Sequence, residues 1–375
     1  MSPVLTTSEA LGDELQGHGI TRRTFLTFCA SLTATLALPS VFAERIAQAL
    51  EASDKPTLIW LEFQDCAGNT ESFLRAHDPG VADIVLDILS VDYHETIMAA
   101  AGTQAEAAKA AAIEPGGHIV VVEGSVPTGD GGVYCTIAGK TAIQHLEEAA
   151  EGAAAIITVG TCSSFGGIPA ASPNPTGAVG VRDVVKNVPI INLPGCPMNV
   201  DNLLGVIAHY LTFGALPPSD EQGRPLFAYG QRIHDNCERR AHFDAGQFAL
   251  EWGDEGHRKG WCLYKLGCKG PSTFHNCPSV RWNMGTSWPV GAGHGCVGCS
   301  EADFWDTMSP FYARLPKPPG FGVTTTVDQI GLGIVGATAV GFGAHGVAKV
   351  IQHRRAEEPE KTPPGDVGDE EGGDE

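Results

Sequence analysis

Ala155-Ile156-Ile157-Thr158-Val159-Gly160-Thr161-Cys162 is a short apolar or β-branched run, a glycine and a threonine, then a thiol. A continuous run of this length bounded by glycine reads as a strand buried on both faces of a sheet. Similar runs lie at 57–63, 84–91, 118–123 and 189–193, with helical patterns such as 95–112 and 142–151 between them. Strands alternating with helices predict an α/β fold: a doubly wound parallel sheet covered on both faces. The thiol at the end of the quoted run is repeated. Cys66 follows the first run, and Cys196 follows the last one in Pro194-Gly195-Cys196-Pro197. In an open parallel sheet the carboxyl ends of the strands share one edge, where ligands bind. Cys66, Cys162 and Cys196 are therefore expected to converge there. The other reading is three separate buried cysteines. Cys135, in Tyr134-Cys135-Thr136, has no such placement and is read as structural.

Downstream, Leu216-Pro217-Pro218 breaks the pattern and marks a domain boundary. Beyond it the sequence 233–300 holds His234-x2-Cys237, Cys262-x5-Cys268, Cys277 and Cys296-x2-Cys299 on a background of Gly, Pro and Trp. Few long apolar runs occur there, so this region is expected to be organised by metal. Its ligands sort into a set of four (His234, Cys237, Cys262, Cys268) and a set of three (Cys277, Cys296, Cys299). A closed Cys3His set suits structural zinc. Three thiolates without a fourth ligand suit a 3Fe-4S cluster better, and Pro289 stands where a further ligand could have been. Three metal groups without a nucleophile–base pair favour iron-sulfur chemistry and electron transfer over zinc.

The 375 residues exceed one ordinary domain, which predicts two domains and tails. The formal charge is −20, of which the nine acids and single Lys of 357–375 account for −8. An acidic body argues against nucleic acid and for a protein partner. The eleven cysteines are odd in number, and a chain this long needs no disulfide framework.

The ends read as targeting segments. Within 1–50, Arg22-Arg23 precedes an uncharged run over 27–43 and Ala47-Gln48-Ala49, the parts of a twin-arginine export leader. The alternative is an amphipathic helix that stays in place. Cys29 lies in this segment and is set apart from the chemistry. Near the other end, 327–350 is apolar and long enough to span a bilayer, within a hydrophobic helix expected over 324–353. Lys349, Arg354 and Arg355 would anchor it on the cytoplasmic side. A docked C-terminal helix is the other reading. Two G-x-G-x-x-G matches in this run, at Gly331 and at Gly341, follow no strand and are accidental. The acidic stretch 354–375 reads as a disordered tail.

Six motifs then stand in order: Leu61-Glu62-Phe63-Gln64-Asp65-Cys66-Ala67-Gly68, Gly160-Thr161-Cys162-Ser163-Ser164-Phe165-Gly166-Gly167, Pro194-Gly195-Cys196-Pro197, His234-Asp235-Asn236-Cys237, Lys265-Leu266-Gly267-Cys268-Lys269-Gly270-Pro271, and Gly293-His294-Gly295-Cys296-Val297-Gly298-Cys299. Together they resemble the small subunit of nickel-iron hydrogenases, over roughly 57–312. The resemblance implies a flavodoxin-like domain over 51–215 holding a proximal 4Fe-4S cluster. It implies an irregular cluster domain over 216–315 holding a medial 3Fe-4S cluster (Cys277, Cys296, Cys299) and a distal 4Fe-4S cluster (His234, Cys237, Cys262, Cys268). Nickel would sit in a separate large subunit and not in this chain, whose one C-x2-C is already assigned.

The family pattern expects a second cysteine three residues after Cys66, and this chain has Asn69. A carboxylate is a better hard-oxygen donor to iron than a neutral amide. Asp65 is therefore the expected fourth proximal ligand; the alternative is that it caps the following helix and that water or Asn69 takes its place. With Gly68 and Gly167 at the places of another branch's extra thiols, the chain resembles the actinobacterial-type, high-affinity, oxygen-tolerant branch. The implied partners are the large subunit and a membrane acceptor such as a cytochrome or quinone-linked protein, with two or more such pairs assembled. Export would place the protein on the extracytoplasmic face of the cell membrane, the cytoplasmic face being the other reading. The rival functions are an iron-sulfur subunit of a hydrogen-sensing or quinone-reducing complex, and a zinc-binding structural protein.

Overall fold

The computed structural model describes residues 22–52, 55–77, 80, 81, 84, 89–283, 285–315 and 327–357. Two compact units divide the chain, Met1–Leu315 and Pro316–Glu375. In chain order the first unit contains helices α1 (Arg22–Thr35) and α2 (Phe42–Ala52), strand β1 (Thr57–Glu62), α3 (Gly68–Leu74), β2 (Ser90–His94), α4 (Thr103–Ile113), β3 (Ile119–Glu123), α5 (Ala142–Ala150), β4 (Ala155–Val159), α6 (Gly160–Phe165), β5 (Ile190–Leu193) and α7 (Val200–Phe213).

The five strands form one sheet in the order β2-β1-β3-β4-β5, and every pairing is parallel. Alternate side chains fill two apolar layers, as the two-residue period of a strand requires. Leu58, Trp60, Val121, Ile157 and Leu193 face one layer, which Leu203 and Ile207 of α7 complete. Ile59, Leu61, Val120, Val122 and Ile156 face the other, against Leu146 and Ala149 of α5.

Register decides where the strand ends fall. Glu62 pairs with Glu123, Glu123 with Val159, and Val159 with Leu193, so four strands end on one line. Cys66, Cys162 and Cys196 follow that line by only three or four residues.

The strand expected at 84–91 lies instead at Ser90–His94, while 82, 83 and 85–88 fall outside the described residues. As an edge strand β2 needs burial on one side only, so the half-buried Asp92 can interrupt its apolar character, while His94 is fully buried and stacks on Trp60 at 4.9 Å between ring centroids. Helix α4 begins at Thr103, later than the expected 95, after a turn at Gly102 with φ 57°.

Helix α7 has no counterpart in the sequence reading. Asn199 caps it by accepting from the Asp201 N–H, and Gly214 stops it with φ 67°. Helices α1 and α2 pack against α7, burying Phe25, Phe28, Leu32, Leu36 and Ile46. Burying side chains of this size contributes about 1.5–3 kcal/mol each. Phe42 meets Phe213 at 5.8 Å between ring centroids. Of the residues read as a leader, 1–50, two stretches are therefore folded helix, 22–35 and 42–50, and 1–21 lie outside the described residues. Cys29 is part of this core, and Cys135 packs partly buried against the opposite layer.

From 216 to 315 the elements shrink to single turns. The apolar cluster there mixes thiols with hydrocarbon: Cys277 and Cys296 are buried among Ile233, Leu263, Leu266 and Trp288. In the second unit a single helix α8 (Val327–Glu357) is described; its Gly331–His353 segment is long and apolar enough to cross a membrane. Residues 324–326 and 358–375 of the expected helix and tail lie outside the described residues.

Candidate metal centres

At the sheet edge the chain leaves β1 through Gln64, whose N–H donates to the Ser125 carbonyl at 3.1 Å. Asp65 Oδ2 then accepts from the Ala67 N–H at 2.8 Å, and Ala67 takes a left-handed φ of 55° to open α3. This turn leaves Cys66 exposed. Cys162 lies in the first turn of α6, and Cys196 in the loop after β5. Thr161 ties the two loops: its N–H donates to Gly195 O, and its Oγ1 accepts from the Gly195 N–H, each at 2.9 Å.

Burial, chiefly, pushes the Cys162 thiol up to about 12; the Ile168 N–H opposes this, and Cys196, Cys66 and Asp65 add to it. The three sheet thiols and Asp65 thus share one electrostatic neighbourhood. Glycine makes that approach possible. A Cβ on Gly167, at φ +61°, would stand 2.4 Å from Cys162 Sγ, and one on Gly68 would stand 3.1 Å from Cys66 Sγ.

Asn69 is committed elsewhere. Its Oδ1 accepts from the Met198 N–H at 2.8 Å, and its Nδ2 donates to Glu123 Oε1 at 3.1 Å. Glu123, fully buried at the end of β3, also accepts from the backbone N–H groups of Asn69 and Thr70. Burial, the largest effect, raises its pKa. Among the described residues, Glu62, Asp65 and Glu123 are the one trio of His, Cys, Asp or Glu whose ligand atoms lie within 4.8 Å of one another. Among the described residues no three thiols lie within 4.8 Å of one another, as the sulfurs bound at ~2.3 Å to a single tetrahedral zinc would.

In the irregular region, His234, Cys237, Cys262 and Cys268 line one small cavity. The His234 ring stands edge-on to Phe243 at 4.6 Å, and burial, followed by Arg240, lowers its pKa, favouring the neutral ligand form. Backbone donors aim at the sulfurs. The Arg239 N–H reaches Cys237 Sγ at 3.4 Å, the Cys296 N–H reaches Cys268 Sγ at 3.3 Å, and the Gly298 N–H reaches Cys296 Sγ at 3.4 Å. Burial drives Cys262 and Cys299 up to about 11. Grouped, buried thiols met by N–H donors are a donor set suited to iron-sulfur clusters, whose cationic iron stabilises the thiolate and whose sulfurs accept such bonds.

The three sets are joined end to end. Cys299 lies within the electrostatic reach of Cys196, and Cys296 within that of Cys268 and Cys299. Thr161 Oγ1 donates to the Cys299 carbonyl, and the Lys269 N–H donates to the Cys296 carbonyl at 2.7 Å. Sheet thiols, the three-thiol set and the four-ligand set therefore form one succession.

Two polar residues of these sites carry no signal in the spacing of the cysteines. Glu123 is merely the last residue of an apolar strand. His275 places Nδ1 3.0 Å from Cys277 Sγ, a contact foreshadowed only by its position two residues earlier in the chain.

Comparison with known proteins extends this picture. The family model of the C-terminal part of the NiFe/NiFeSe hydrogenase small subunit matches 229–312, a span that holds the four-ligand and three-ligand sets. The family model of the 20 kDa subunit of NADH ubiquinone oxidoreductase matches 66–210, which holds the three sheet thiols. The quinone-reactive Ni/Fe-hydrogenase small chain of Wolinella succinogenes is 48% identical over 347 residues, covering 90% of this chain and 98% of that protein. The chain belongs to the nickel-iron hydrogenase small subunits. The hydrogenase-1 small chain of Escherichia coli K12 is 44% identical, with 96% of each chain covered. Among solved structures, the actinobacterial-type NiFe-hydrogenase of Ralstonia eutropha H16 aligns with a TM-score of 0.65 at 27% identity, over 84% of this chain and 95% of that one. As a hydrogenase small subunit the protein is the iron-sulfur, electron-transferring part of an oxidoreductase.

Proposed function

We propose that this small subunit carries electrons from hydrogen oxidation in a large subunit, through three iron-sulfur centres, to a membrane or quinone-linked acceptor such as a cytochrome. In this reading the flavodoxin-like sheet domain holds the proximal 4Fe-4S cluster with Cys66, Cys162, Cys196 and Asp65. Cys277, Cys296 and Cys299 hold a medial 3Fe-4S cluster, and His234, Cys237, Cys262 and Cys268 hold a distal 4Fe-4S cluster. Bound there, the clusters supply one-electron redox chemistry.

The chain's own residues hold and order that chemistry. The observation that carries the reading is the end-to-end succession of the sets: Thr161, next to Cys162, donates to the Cys299 carbonyl, and the Cys296 N–H donates to Cys268 Sγ at 3.3 Å. Leu263, Leu266 and Trp288 keep water from the inner set. The His for Cys exchange at 234 makes the outermost set less negative, which raises the potential of a mixed cluster.

Asp65 stands in the neighbourhood of Cys162 and spends only one carboxylate oxygen on the fold, accepting from the Ala67 N–H at the start of α3, while Asn69 has both polar atoms engaged. Both observations favour the carboxylate as fourth ligand. Asp65→Ala is then expected to alter or abolish the proximal EPR signal, and an unchanged spectrum sinks the assignment. The remaining parts of the proposal are twin-arginine export, an extracytoplasmic position at the cell membrane with Gly331–His353 as the anchor, and assembly of two or more heterodimers.

The reading is tested on the complex purified with its large subunit. Iron with acid-labile sulfide is expected, together with EPR signals that change under hydrogen. Colourless protein containing zinc would overturn it.

A further inference from the structure

His275 is only 3% exposed, and its ring is fixed from several sides. Its backbone N–H donates to Gln231 O at 3.2 Å, and its ring meets Tyr229 edge-on at 4.9 Å. Tyr229 is itself held by a 2.7 Å bond from its hydroxyl to the Pro194 carbonyl. In this pose Nδ1 lies 3.0 Å from Cys277 Sγ, and Nε2 is buried without a protein partner.

The chemistry of that contact follows from where a proton can sit. A thiol that ligates iron has lost its proton, so only the imidazole can supply one to the pair. A proton on Nε2 would leave a buried N–H unsatisfied and turn the Nδ1 lone pair toward the sulfur's own, at a cost of about 1–3 kcal/mol for the orphaned donor. The tautomer with Nδ1–H pointing at sulfur avoids both.

We propose that His275 is a positioning residue for electron transfer: through an Nδ1–H···Sγ hydrogen bond to Cys277 it raises the reduction potential of the medial centre. The inference rests on the reading of Cys277 as a medial ligand. A hydrogen bond to a ligand sulfur favours the more negative, reduced state. One electron enters and leaves, no bond breaks, and the proton stays on Nδ1 in both states. The donor on Cys296 is a backbone N–H, that of Gly298. At Cys277 the donors include side-chain rings, His275 and Trp282. Cys277 is thus a medial ligand whose potential depends on side-chain identity.

The test uses the complex with its large subunit, in which oxidised 4Fe-4S centres are EPR-silent and an oxidised 3Fe-4S centre is not. Absence of that signal in the unaltered protein overturns the medial assignment itself. Given the signal, His275→Phe keeps a flat ring against Tyr229 without the donor and is expected to lower the medial midpoint potential. His275→Asn, whose amide can reach the same sulfur, is expected to restore part of the shift. A wild-type midpoint in a His275→Phe protein with full signal intensity overturns the proposal. Should that variant not retain the centre, pulsed EPR of unaltered protein with 15N-histidine decides. Coupling of the medial signal to one imidazole nitrogen and its exchangeable proton is expected, and its absence overturns the proposal.

Discussion

The sheet and the irregular region present their thiols in opposite ways. At the sheet edge Cys66 and Cys196 are exposed, held by strands that would fold whatever they carried. In the irregular region Cys262, Cys277 and Cys296 are buried at 7–8% exposure and count among the core. A fold with its own hydrocarbon layers can offer ligands at its border to a partner. A region of single turns cannot, and must make the metal part of its interior.

The contrast breaks or stands first on iron removal, where the largest effect is expected. Chelation should strip amide protection from the Cys/His-rich region by roughly 100-fold or more while β3 and β4 keep theirs, because metal binding there is folding energy. Hydrogen exchange reads both regions at once, and equal loss in both would end the comparison. Single thiols sharpen it further. Cys296→Ala should lose the medial centre and more than ~2 kcal/mol of stability through a buried void. Cys66→Ala should lose only the proximal centre, with an unaltered melting temperature.

The next effect is local to the sheet edge. Gly167→Ala combines φ +61° with a Cβ 2.4 Å from Cys162 Sγ, so the proximal centre should be displaced or lost. Gly131→Ala has a similar φ of +73° and nothing within 4 Å, and should cost only ~1 kcal/mol with all clusters intact. Equal spectra for the two variants would mean that the glycine serves the backbone alone.

The smallest effect is a pH dependence at Glu95, which lies beside Glu62 at the end of β1. Burial chiefly raises Glu95 from 4.5 to about 7. The folded state therefore keeps this proton when the unfolded chain has lost it, and stability falls as pH rises through that window. Glu95→Gln should match the wild type near pH 4 and become the more stable protein above pH 7, as urea melts across that range would show.

The same contrast explains what could be read in advance. Strands β1, β3, β4 and β5 are buried on both faces, so each reads as a mostly apolar run, the polar Thr158 and Asn192 inside β4 and β5 being hydrogen-bonded to each other. The edge strand β2, reading Ser90-Val91-Asp92-Tyr93-His94, lacks that signal. Helix α7 escaped because the glycine and prolines after it look like a boundary, although Asp201, His209 and Thr212 share one face of its otherwise apolar Val200–Phe213 stretch. The candidate metal-binding cysteines were legible because sulfur at such spacings has few other uses. His275 and Glu123 were not, since one owes its role to the turn that brings Tyr229 and Gln231 around it, and the other to the N-terminal turn of α3 above it. Ligand identity is written locally, whereas the hydrogen bonds around a ligand exist only after the chain has closed.

The central claim is a three-centre succession running from the exposed sheet edge through a buried interior. Anomalous diffraction at the iron edge, from crystals of the complex with its large subunit, tests it most directly. Three iron sites are expected in this chain, at Cys66, Cys162 and Cys196, at Cys277, Cys296 and Cys299, and at His234, Cys237, Cys262 and Cys268, in that order. Single-metal density at the last set, or no iron between the outer two, would contradict it.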